Sequence, residues 1–430
     1  MRSLIWFRND LRVTDNATLN AAVEASTEVI PVFVMDPRQW SEDRWGQVKT
    51  GPFRTQFLLE SLADLKSDVE DMGGALVIRQ GEPAEVLKAL ADQWDAHAVF
   101  ATAEHTREEL DRETEVGEML DLRLQEQLTM YHPDDLPFEL AQLPDVFTRF
   151  RGKMEKRSEV RDPLKEPESM AVPEGLLSDE VPTLKELGVN APVKDARGVL
   201  PFKGGAVAAW ERMDHYFWET KKLRVYKKTR NGLLGADYSS KFSPWLALGC
   251  ISPREIHAQI RAFEAEVEKN EDTYWLIFEL IWRDYFRYVA MRYGNRIFHK
   301  RGIKDESPKW RNDRRTFESW CEGRTQCDFV NANMRELAAT GFMSNRGRQN
   351  VASYLVHDMG VDWRLGASWF EHMLLDHDPA SNYGNWIYVA GVGNDPRPNR
   401  KFNTSGQAER YDADGKYRRH WSHATLELDL

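Results

Sequence analysis

The sequence predicts two domains of different class: an α/β domain with a parallel, doubly wound sheet, and an all-α domain after it. Its length of 430 residues is more than one hydrophobic core usually supports. The first third alternates short apolar runs with amphipathic stretches, whereas the pattern from residue 204 onward is helical almost throughout. The order of these patterns along the chain therefore indicates both the fold class and the division into domains.

In the first third, buried strands are predicted at residues 4–7, 29–35, 75–78 and 98–101, with helices at 16–26, 52–71 and 83–95. Strands that alternate with helices form parallel sheets with right-handed crossovers, and ligands bind at the carboxyl ends of such strands. The glycine fingerprints of a Rossmann dinucleotide site and of a P-loop do not occur. A domain over residues 1–133 is therefore predicted without a standard nucleotide motif.

Residues 134–200 carry recurrent prolines and clustered charges without periodicity, which predicts a linker between the domains. The second domain is predicted to span residues 201–430. Its helices are expected at residues 204–222, 252–269, 271–293, 313–321, 329–340, 345–359 and 362–375.

Charge and tryptophan are unevenly distributed. Residues 1–200 carry 23 Lys+Arg and 39 Asp+Glu, a net charge of −16, whereas residues 201–430 carry 35 and 30, a net charge of +5. Eleven of the 15 tryptophans also lie in the second part. A phosphate-bearing ligand would find cations and stacking surfaces there, although tryptophan-rich segments are also typical of well-packed cores.

Three cysteines without a C-x-x-C spacing argue against a disulfide framework and a zinc knuckle, and fit a reducing cytosol. The sequence has no apolar run of about 20 residues, which a membrane span needs. A secretory signal is not visible either, so we expect a cytoplasmic protein. Hydrolase motifs are absent and the eleven histidines lack metal-ligand spacing, so no metal site is predicted.

The segment Asp237-Tyr-Ser-Ser-Lys-Phe-Ser-Pro-Trp245 places three hydroxyls and Lys241 at a predicted helix start. Ser243 suits the N-cap and Pro244 the first helical position. Together with free N–H groups they can form a diphosphate cradle. A plain capped helix in a polar turn explains the same residues, and the sequence leaves both interpretations open.

Residues 274–287 are apolar on nearly every face, which predicts a central helix. Glu279, Arg283 and Arg287 recur at a spacing of four and share one face of that helix. Burial of these charges requires either ion pairs between helices or a polar ligand. Trp282 offers a flat surface for a ring beside them.

Two further segments carry polar groups. In residues 341–350, Ser344 or Asn345 can cap a helix whose first turn holds Arg346 and Arg348, where the dipole disfavours cations and a bound anion would explain them. Residues 375–386 predict a turn-rich loop with two acids and two amides, Asp376, Asp378, Asn382 and Asn385. This loop lacks the calcium spacing of an EF-hand, so its side chains suit a heterocycle edge or a ribose. The four segments together predict a pocket for a phosphorylated aromatic cofactor.

In order along the chain, these segments resemble the photolyase/cryptochrome family, and most closely its DASH-type cryptochromes. The resemblance spans essentially the whole chain. It is carried by Trp6-Phe-Arg-Asn-Asp-Leu-Arg12, Lys49-Thr-Gly51, Thr229-Arg-Asn-Gly232, Asp237-Tyr-Ser-Ser-Lys-Phe-Ser-Pro-Trp-Leu246, residues 274–287, residues 341–350, Ser381-Asn-Tyr-Gly-Asn-Trp386 and Ala390-Gly-Val-Gly-Asn-Asp395.

The resemblance implies FAD, bent into a U within the helical domain. Its binding residues would be Tyr226, Ser239, Ser240, Lys241, Phe242, Ser243, Glu279, Arg283, Asn345, Arg348, Asp376, Asp378 and Asn382. Among them, Arg348 would pair with Asp376, and Asn382 would face N5 of the flavin.

The resemblance also implies photochemistry on DNA. An electron from excited, reduced FAD would split a cyclobutane pyrimidine dimer that is flipped into the pocket. The dimer would meet Glu279, Trp282, Asn345, Gln349, Asn382 and Tyr388, and an electron chain would run through Trp386, Trp363 and Trp310. Gln349 and Tyr388 stand where photolyases place Met and Trp, so the weaker pocket would restrict repair to single-stranded or looped DNA.

A folate antenna, 5,10-methenyltetrahydrofolate, is implied as well. Its carboxylate contact would be Glu104, with Glu108 and Glu109 as alternatives, while an exposed acidic helix start explains these residues equally well. Arg346 would contact DNA phosphates, so binding should weaken steeply with salt. A monomer is expected.

The leading function is thus light-driven repair of pyrimidine dimers in single strands, which makes the chain a deoxyribodipyrimidine photolyase. The alternative is a blue-light photoreceptor that signals through flavin redox change without repair. Signalling cryptochromes often carry long tails, and the chain ends about 20 residues after Tyr411-Asp412, which favours repair. A light-independent flavin reductase would need a nicotinamide motif, which the sequence lacks.

Overall fold

A parallel five-stranded sheet forms the centre of the first half of the protein. The computed structural model describes residues 1–305, 309–397 and 401–422. Its strands are β1 (Arg2–Phe7), β2 (Glu28–Met35), β3 (Val77–Gln80), β4 (Ala96–Thr102) and β5 (Leu122–Gln125). They lie in the order β3-β2-β1-β4-β5, and every pair is parallel. The strand order reverses between β1 and β4, which confirms the predicted doubly wound sheet.

Helices cover both faces of this sheet, because successive strand residues point to opposite sides. In β1, Leu4 and Trp6 belong to one apolar core, and Ile5 and Phe7 to the other. The second of these cores continues without a break into the helical half of the protein. The helices of this half are α1 (Ala17–Ala25), α2 (Pro52–Asp71), α3 (Pro83–Trp94) and α4 (Arg107–Gly117).

Two elements of the sheet domain were not predicted, namely α4 and β5. Helix α4 is strongly charged and buries few residues, so its sequence carries little apolar periodicity. Strand β5 is four residues long and only partly buried, because it forms an edge of the sheet. Both therefore lack the apolar signal that identified the other elements.

The predicted linker contains a helix, α5 (Phe147–Arg157), that the loss of periodicity did not indicate. It buries Phe147, Phe150 and Met154 against the central helix of the second half. The predicted limits of the linker, residues 134 and 200, stay a prediction.

The second half is helical, as predicted. Its α-helices are α6 (Ala206–Asp214), α7 (Tyr226–Thr229), α8 (Ser243–Ala247), α9 (Pro253–Glu266), α10 (Glu271–Tyr293), α11 (Arg314–Cys321), α12 (Asp328–Thr340), α13 (Asn345–Ser353), α14 (Trp363–Met373), α15 (Pro379–Val389), α16 (Thr404–Tyr411) and α17 (Lys416–His420). Single π-turns extend α6 through His215–Glu219 and α13 through Tyr354–Asp358. In the described part of the chain, every helix is too short or too polar to cross a lipid bilayer.

The prediction of a loop over residues 375–386 was wrong for most of its length. Asp378 caps α15 by accepting a hydrogen bond from the Ser381 N–H at 2.7 Å, and Pro379 opens the helix. The polar and glycine residues that indicated a loop thus lie within a helix, because its cap and its packing against α10 and α14 outweigh their low helix propensity.

The two halves are joined by a buried ion pair. Arg254, at the start of α9, donates to both carboxylate oxygens of Asp15, with distances of 3.0 and 2.7 Å, and the Ser252 hydroxyl donates to the same carboxylate at 2.5 Å. The chain approaches closely here, since Gly249 has a φ of +67° and a Cβ at that position would lie 2.1 Å from the Asn9 carbonyl oxygen. Only glycine satisfies both conditions.

We expect Asp15→Asn to destabilise the protein by about 3–5 kcal/mol, because it leaves the buried Arg254 guanidinium without a counter-charge. Asparagine tolerates the positive φ of 45° at this position, so backbone strain does not add to the effect. The measurement is the free energy of urea unfolding. Asp92→Asn, which affects an exposed i,i+4 pair with Lys88, is the control and should change it by less than about 0.5 kcal/mol. Equal effects of the two substitutions would contradict the role of the pair.

Candidate functional site

A cavity of about 540 Å³ lies within the helical half. Every residue predicted to bind the cofactor, the dimer or DNA lines it: Tyr226, Ser239, Ser240, Lys241, Phe242, Ser243, Glu279, Trp282, Arg283, Asn345, Arg346, Arg348, Gln349, Asp376, Asp378, Asn382 and Tyr388. Four segments that are distant in sequence thus meet at one site, as the pocket hypothesis required.

The hydroxyl-rich end of the cavity is formed by the loop before α8. Arg212 fixes this loop by donating to the carbonyl oxygens of Ser239 and Ser240, both at 3.0 Å. The predicted cap at Ser243 is wrong, since α8 begins at Ser243 itself and Phe242 stands at the N-cap without a side-chain bond. The loop is therefore held by an arginine and not by a helix cap.

Lys241 belongs to a buried group of titratable side chains beneath this loop. Its Nζ donates to the Ala236 carbonyl oxygen at 2.7 Å and lies 3.3 Å from the centre of the Tyr238 ring. Burial lowers the pKa of Lys241 to about 6 and raises the pKa of Glu336 to about 8. The Tyr417 hydroxyl, on α17, donates to Glu336 at 2.6 Å. Burial thus disfavours the charged forms of both Lys241 and Glu336.

The charged face of α10 is satisfied within the protein. Glu279 pairs with Arg230 at 2.5 Å, and burial raises the pKa of Glu279 even though Arg230 opposes this shift. Arg283 donates to the carbonyl oxygens of Leu128 and Leu246. The sequence left two explanations for this charged face, partners within the protein or a polar ligand. Partners within the protein are present, and Glu279 and Arg283 also line the cavity.

Arg287 and Asp378 form the innermost ion pair of the site, and Glu104 lies 3.9 Å from Arg287 on its other side. Burial pushes the pKa of Asp378 up, but Arg287, Arg283 and the Ser381 N–H hold it well below its ordinary value. Asp378 therefore stays a carboxylate while it caps α15 and faces the cavity.

The first turn of α13 supplies two arginines with different partners. Arg348 forms a bidentate pair with Asp376, with distances of 3.0 and 2.8 Å, which is the pair that the resemblance implied. Arg346 donates to Asn231 at 2.9 Å and to Gln349 at 3.0 Å. An arginine at a helix N-terminus was expected to bind an anion. For Arg348 this anion is the Asp376 carboxylate of the protein itself.

Asn382 is anchored in the cavity wall by its amide, whose Nδ2 donates to the Ala367 carbonyl oxygen at 3.0 Å. Asn345 lies at the start of α13 and is exposed toward the cavity. The two amides therefore face the same space from different helices, one fixed and one accessible.

Trp282 lies in a group of stacked aromatic rings at the cavity wall. Phe147 of α5 lies parallel to it with ring centres 3.6 Å apart, and the Tyr388 ring meets it edge-on at 5.7 Å. Phe147 was not among the predicted site residues, because it stands in the segment read as a linker. The Phe147 ring covers one face of the indole and fixes its orientation.

The three tryptophans of the implied electron chain occupy different depths. Trp386 is buried and lines the cavity, Trp363 is fully buried at the start of α14, and Trp310 is partly exposed. Trp386 is confined by Gly366, where a Cβ would lie 2.2 Å from the indole. Trp320, which was not predicted, meets Trp386 edge-on with ring centres 6.3 Å apart.

A second cavity of about 140 Å³ lies at the carboxyl ends of β1 and β2, where ligands of parallel sheets bind. Glu108 and Glu109 line it, but Glu104 does not. Glu104 is buried, accepts a hydrogen bond from Asn9 at 2.7 Å and approaches Arg287, so the structure gives it a role in the ion pairs between the halves. His377 lines both cavities and therefore stands in the wall between them.

The larger cavity has the groups that a flavin dinucleotide requires. Hydroxyls, a bidentate arginine, two carboxylates, two amides and the rings of Phe242, Trp282 and Trp386 surround one space. Aromatic surfaces suit a flat heterocycle, and hydroxyl and guanidinium donors suit phosphates. In the described ranges, no group of three or more His, Cys, Asp or Glu side chains could hold a metal ion.

Comparisons with known proteins agree with this arrangement. A family model described as DNA photolyase matches residues 3–168, and one described as FAD binding domain of DNA photolyase matches residues 275–428. Several curated relatives bear the name Cryptochrome DASH. The protein from Natronomonas pharaonis is 50% identical over 97% of this chain and 89% of its own length. The protein from Danio rerio is 48% identical over 96% and 81%.

Solved structures show the same likeness. A cryptochrome from Synechocystis sp. superposes with a TM-score of 0.95 at 44% identity, covering 98% of this chain and 88% of its own. A bacterial class III photolyase from Agrobacterium tumefaciens gives a TM-score of 0.84 at 29% identity, covering 98% and 86%.

We expect Glu336→Gln to alter how stability depends on pH. Because the folded state raises the pKa of Glu336 to about 8, the native carboxyl keeps its proton where the unfolded chain has lost it. Its contribution to stability is therefore lost as pH rises from about 5 to 8. Glutamine keeps an acceptor for Tyr417 but does not titrate. The unfolding free energy of the variant relative to the parent protein should therefore increase by about 2 kcal/mol or more over this pH range. Urea unfolding at several pH values measures the difference.

The matched control is Glu24→Gln, since Glu24 is exposed on α1. Its unfolding free energy relative to the parent protein should not change over this pH range. If the difference in unfolding free energy between Glu336→Gln and the parent protein also stayed constant with pH, Glu336 would titrate normally.

Proposed function

Because this chain belongs to the cryptochrome DASH family of photolyase-like proteins and carries an FAD-binding domain, we propose that it repairs cyclobutane pyrimidine dimers in single-stranded or looped DNA under blue light. The observation that carries this proposal is the single cavity that unites the predicted cofactor and dimer residues. A flavin and an extruded pyrimidine dimer can be in contact only if the cofactor residues and the dimer residues face one space.

FAD would be held by the polar wall of the cavity. Ser239, Ser240 and Ser243 would receive its phosphates, and Asp376 and Asp378 would accept hydrogen bonds from the flavin and ribose edges. The ion pairs of both carboxylates with arginines hold them in position. Bound in its reduced state, FAD supplies on excitation the electron that opens the cyclobutane ring.

The dimer would lie against Trp282 and Glu279. Phe147 holds the indole face in place, and Glu279, which pairs with Arg230, would hydrogen-bond the dimer. Gln349 and Tyr388 make the rest of this wall polar. Such a wall binds the apolar face of a dimer weakly, so it offsets little of the few kcal/mol that base flipping costs in a duplex.

DNA would reach this pocket across a rim of basic side chains, several of which also pair with carboxylates of the protein. Arg230, Arg346 and Arg397 line the cavity, and Lys227 lies 4.2 Å from the ring of Trp275 nearby. Cations beside exposed rings bind single strands through phosphate contacts and base stacking. These contacts support a DNA-binding face on this side of the helical half.

Two further parts of the proposal concern electrons and light. Trp386, Trp363 and Trp310 would conduct electrons from the surface to the flavin, which is supported by two buried rings and a third, Trp310, that is partly exposed. The second cavity would hold a folate antenna, with Glu108 or Glu109 as its carboxylate contact. An archaeal photolyase from Sulfolobus tokodaii, at 27% identity and a TM-score of 0.79, contains two FAD molecules with the implication of a novel light-harvesting cofactor, which supports a second chromophore in this fold. The monomeric state and the cytoplasmic location stay predictions.

We expect Ser239→Asp to lower the affinity for FAD by at least about tenfold, or about 1.4 kcal/mol, because it places a carboxylate where the phosphates would lie. Isothermal titration of flavin-free protein with FAD measures the affinity, and circular dichroism confirms folding. Ser41→Asp, at an exposed serine of the sheet domain, is the matched control and should bind FAD as the parent protein does. Equal affinities of all three proteins would place the phosphates elsewhere.

We also expect dimer repair under blue light to be at least about tenfold faster on single-stranded than on matched duplex oligonucleotides, because the pocket offsets the cost of flipping poorly. Glu279→Gln should slow repair of both substrates while it leaves flavin absorption intact. Repair is followed by recovery of pyrimidine absorbance. Equal rates on both substrates would refute the strand preference. The absence of repair on either substrate, with flavin bound and photoreducible, would favour the non-repairing photoreceptor.

A further inference from the structure

Tyr383 joins the implied electron chain to a buried carboxyl group. It lies on α15, one turn before Trp386, and its ring meets the Trp363 ring edge-on with centres 6.1 Å apart. Phe298 packs on the Tyr383 ring at 4.6 Å. The Tyr383 phenol is therefore in direct contact with the middle tryptophan of the chain, which is fully buried.

The phenol of Tyr383 already has a proton acceptor. Its hydroxyl donates to Glu371 Oε2 on α14 at 3.1 Å. Glu371 also lines the second cavity, so a proton that it receives has a route out of the protein.

Oxidation of Trp363 would add a buried positive charge to the buried carboxylate of Glu371, with Tyr383 in contact with both residues. Trp363 would carry a positive charge and Glu371 a negative one, and both would be poorly solvated. Transfer of an electron from Tyr383 to Trp363, together with the phenol proton to Glu371, neutralises both charges in one step. Tyrosine needs such a base, because its phenol becomes strongly acidic once an electron is removed.

We infer that Tyr383 and Glu371 form a redox branch of the tryptophan chain, in which oxidised Trp363 takes one electron from Tyr383 while the phenol proton moves to Glu371. The products are neutral Trp363, a neutral tyrosyl radical and a protonated carboxyl group. This inference rests on the proposed function for its oxidant. In that function, light excites oxidised flavin, the flavin takes an electron from Trp386, and Trp386 in turn takes one from Trp363, which is thereby oxidised. The branch places the radical on Tyr383, from which charge recombination with the reduced flavin is slow. It therefore favours net photoreduction of the flavin.

The branch should depend on pH, because only the Glu371 carboxylate can accept the proton. Burial, together with Glu108, raises the pKa of Glu371 to about 7, although Arg54, the Tyr383 hydroxyl and Lys49 act to lower it. Among the described residues, further charged or titratable groups near the pair include His377, whose Nε2 lies 4.0 Å from Glu371, and Asp43 and Arg44, which face Tyr383. The branch should therefore be open above about pH 8 and closed below about pH 6.

The test is time-resolved electron paramagnetic resonance on FAD-loaded protein after a blue flash, with ring-deuterated tyrosine to identify the radical. We expect a tyrosyl signal at about pH 8.5 that is replaced by a tryptophanyl signal at about pH 5.5. Tyr383→Phe and Glu371→Gln should both reduce the tyrosyl signal at least about tenfold at the higher pH. The first removes only a hydroxyl, and the second keeps a hydrogen-bond acceptor, so both should fold.

Tyr293→Phe is the matched control. The Tyr293 hydroxyl likewise donates to a carboxylate, Asp145, at 2.7 Å, but its ring packs against Arg292 and Arg296. This variant should keep the tyrosyl signal. A parent protein that shows only a tryptophanyl radical at about pH 8.5 would overturn the branch alone. A parent protein with bound flavin and no amino-acid radical at any pH would instead overturn the electron chain of the proposed function, and the branch with it.

Discussion

The row of buried charges Glu104, Arg287 and Asp378 is the interaction on which the site depends. It joins the end of strand β4 to the central helix α10 and to the first residue before α15. Each of the three groups would be costly to bury alone, so the sheet, α10 and α15 must meet with their charges in register. Because Asp378 both pairs with Arg287 and caps α15, the same contact fixes the helix that carries Asn382 and Trp386.

The two arginines of α13 have different partners, and the cost of burying an unpaired charge explains the pair that Arg348 forms. Arg348 is neutralised by Asp376 in a bidentate pair, so it orients a carboxylate and adds little net charge to the cavity. Arg346, by contrast, donates to the neutral side chains of Asn231 and Gln349, and its guanidinium also lies over the Tyr411 ring. Arg346 thus links the first turn of α13 to Asn231 and Tyr411, and its charge also lowers the pKa of the nearby Glu279 carboxyl.

How far the sequence predicts this molecule depends on whether a feature has an apolar signal. Strands β1, β2 and β4 bury continuous apolar residues, and they were found close to their observed positions. Helix α4 was missed because its surface is mostly charged, and α15 because its cap and small polar residues are those of a loop. The four pocket segments were found from their polar residues, whereas the tryptophan chain came from the family resemblance, since spacing alone could not select Trp386 and Trp363 from eleven tryptophans of the second half. Contacts such as Phe147 on Trp282 and Tyr383 on Trp363 join segments that are distant in the chain or on different helices, and no local pattern encodes them.

The packing around Trp386 shows why a helix with poor propensity was retained at the centre of the site. Gly366 on α14 costs helix stability of about 1 kcal/mol relative to alanine, yet any Cβ there would penetrate the indole. With glycine at this position, the two helices come close enough for α14 to hold Trp386 against the cavity while Phe370 supports the ring edge-on at 5.1 Å. A ring confined on several sides by backbone and aromatic groups cannot change rotamer freely, so Trp386 keeps its position in the cavity wall. The low propensity of this segment is therefore the consequence of placing a rigid tryptophan between two tightly packed helices.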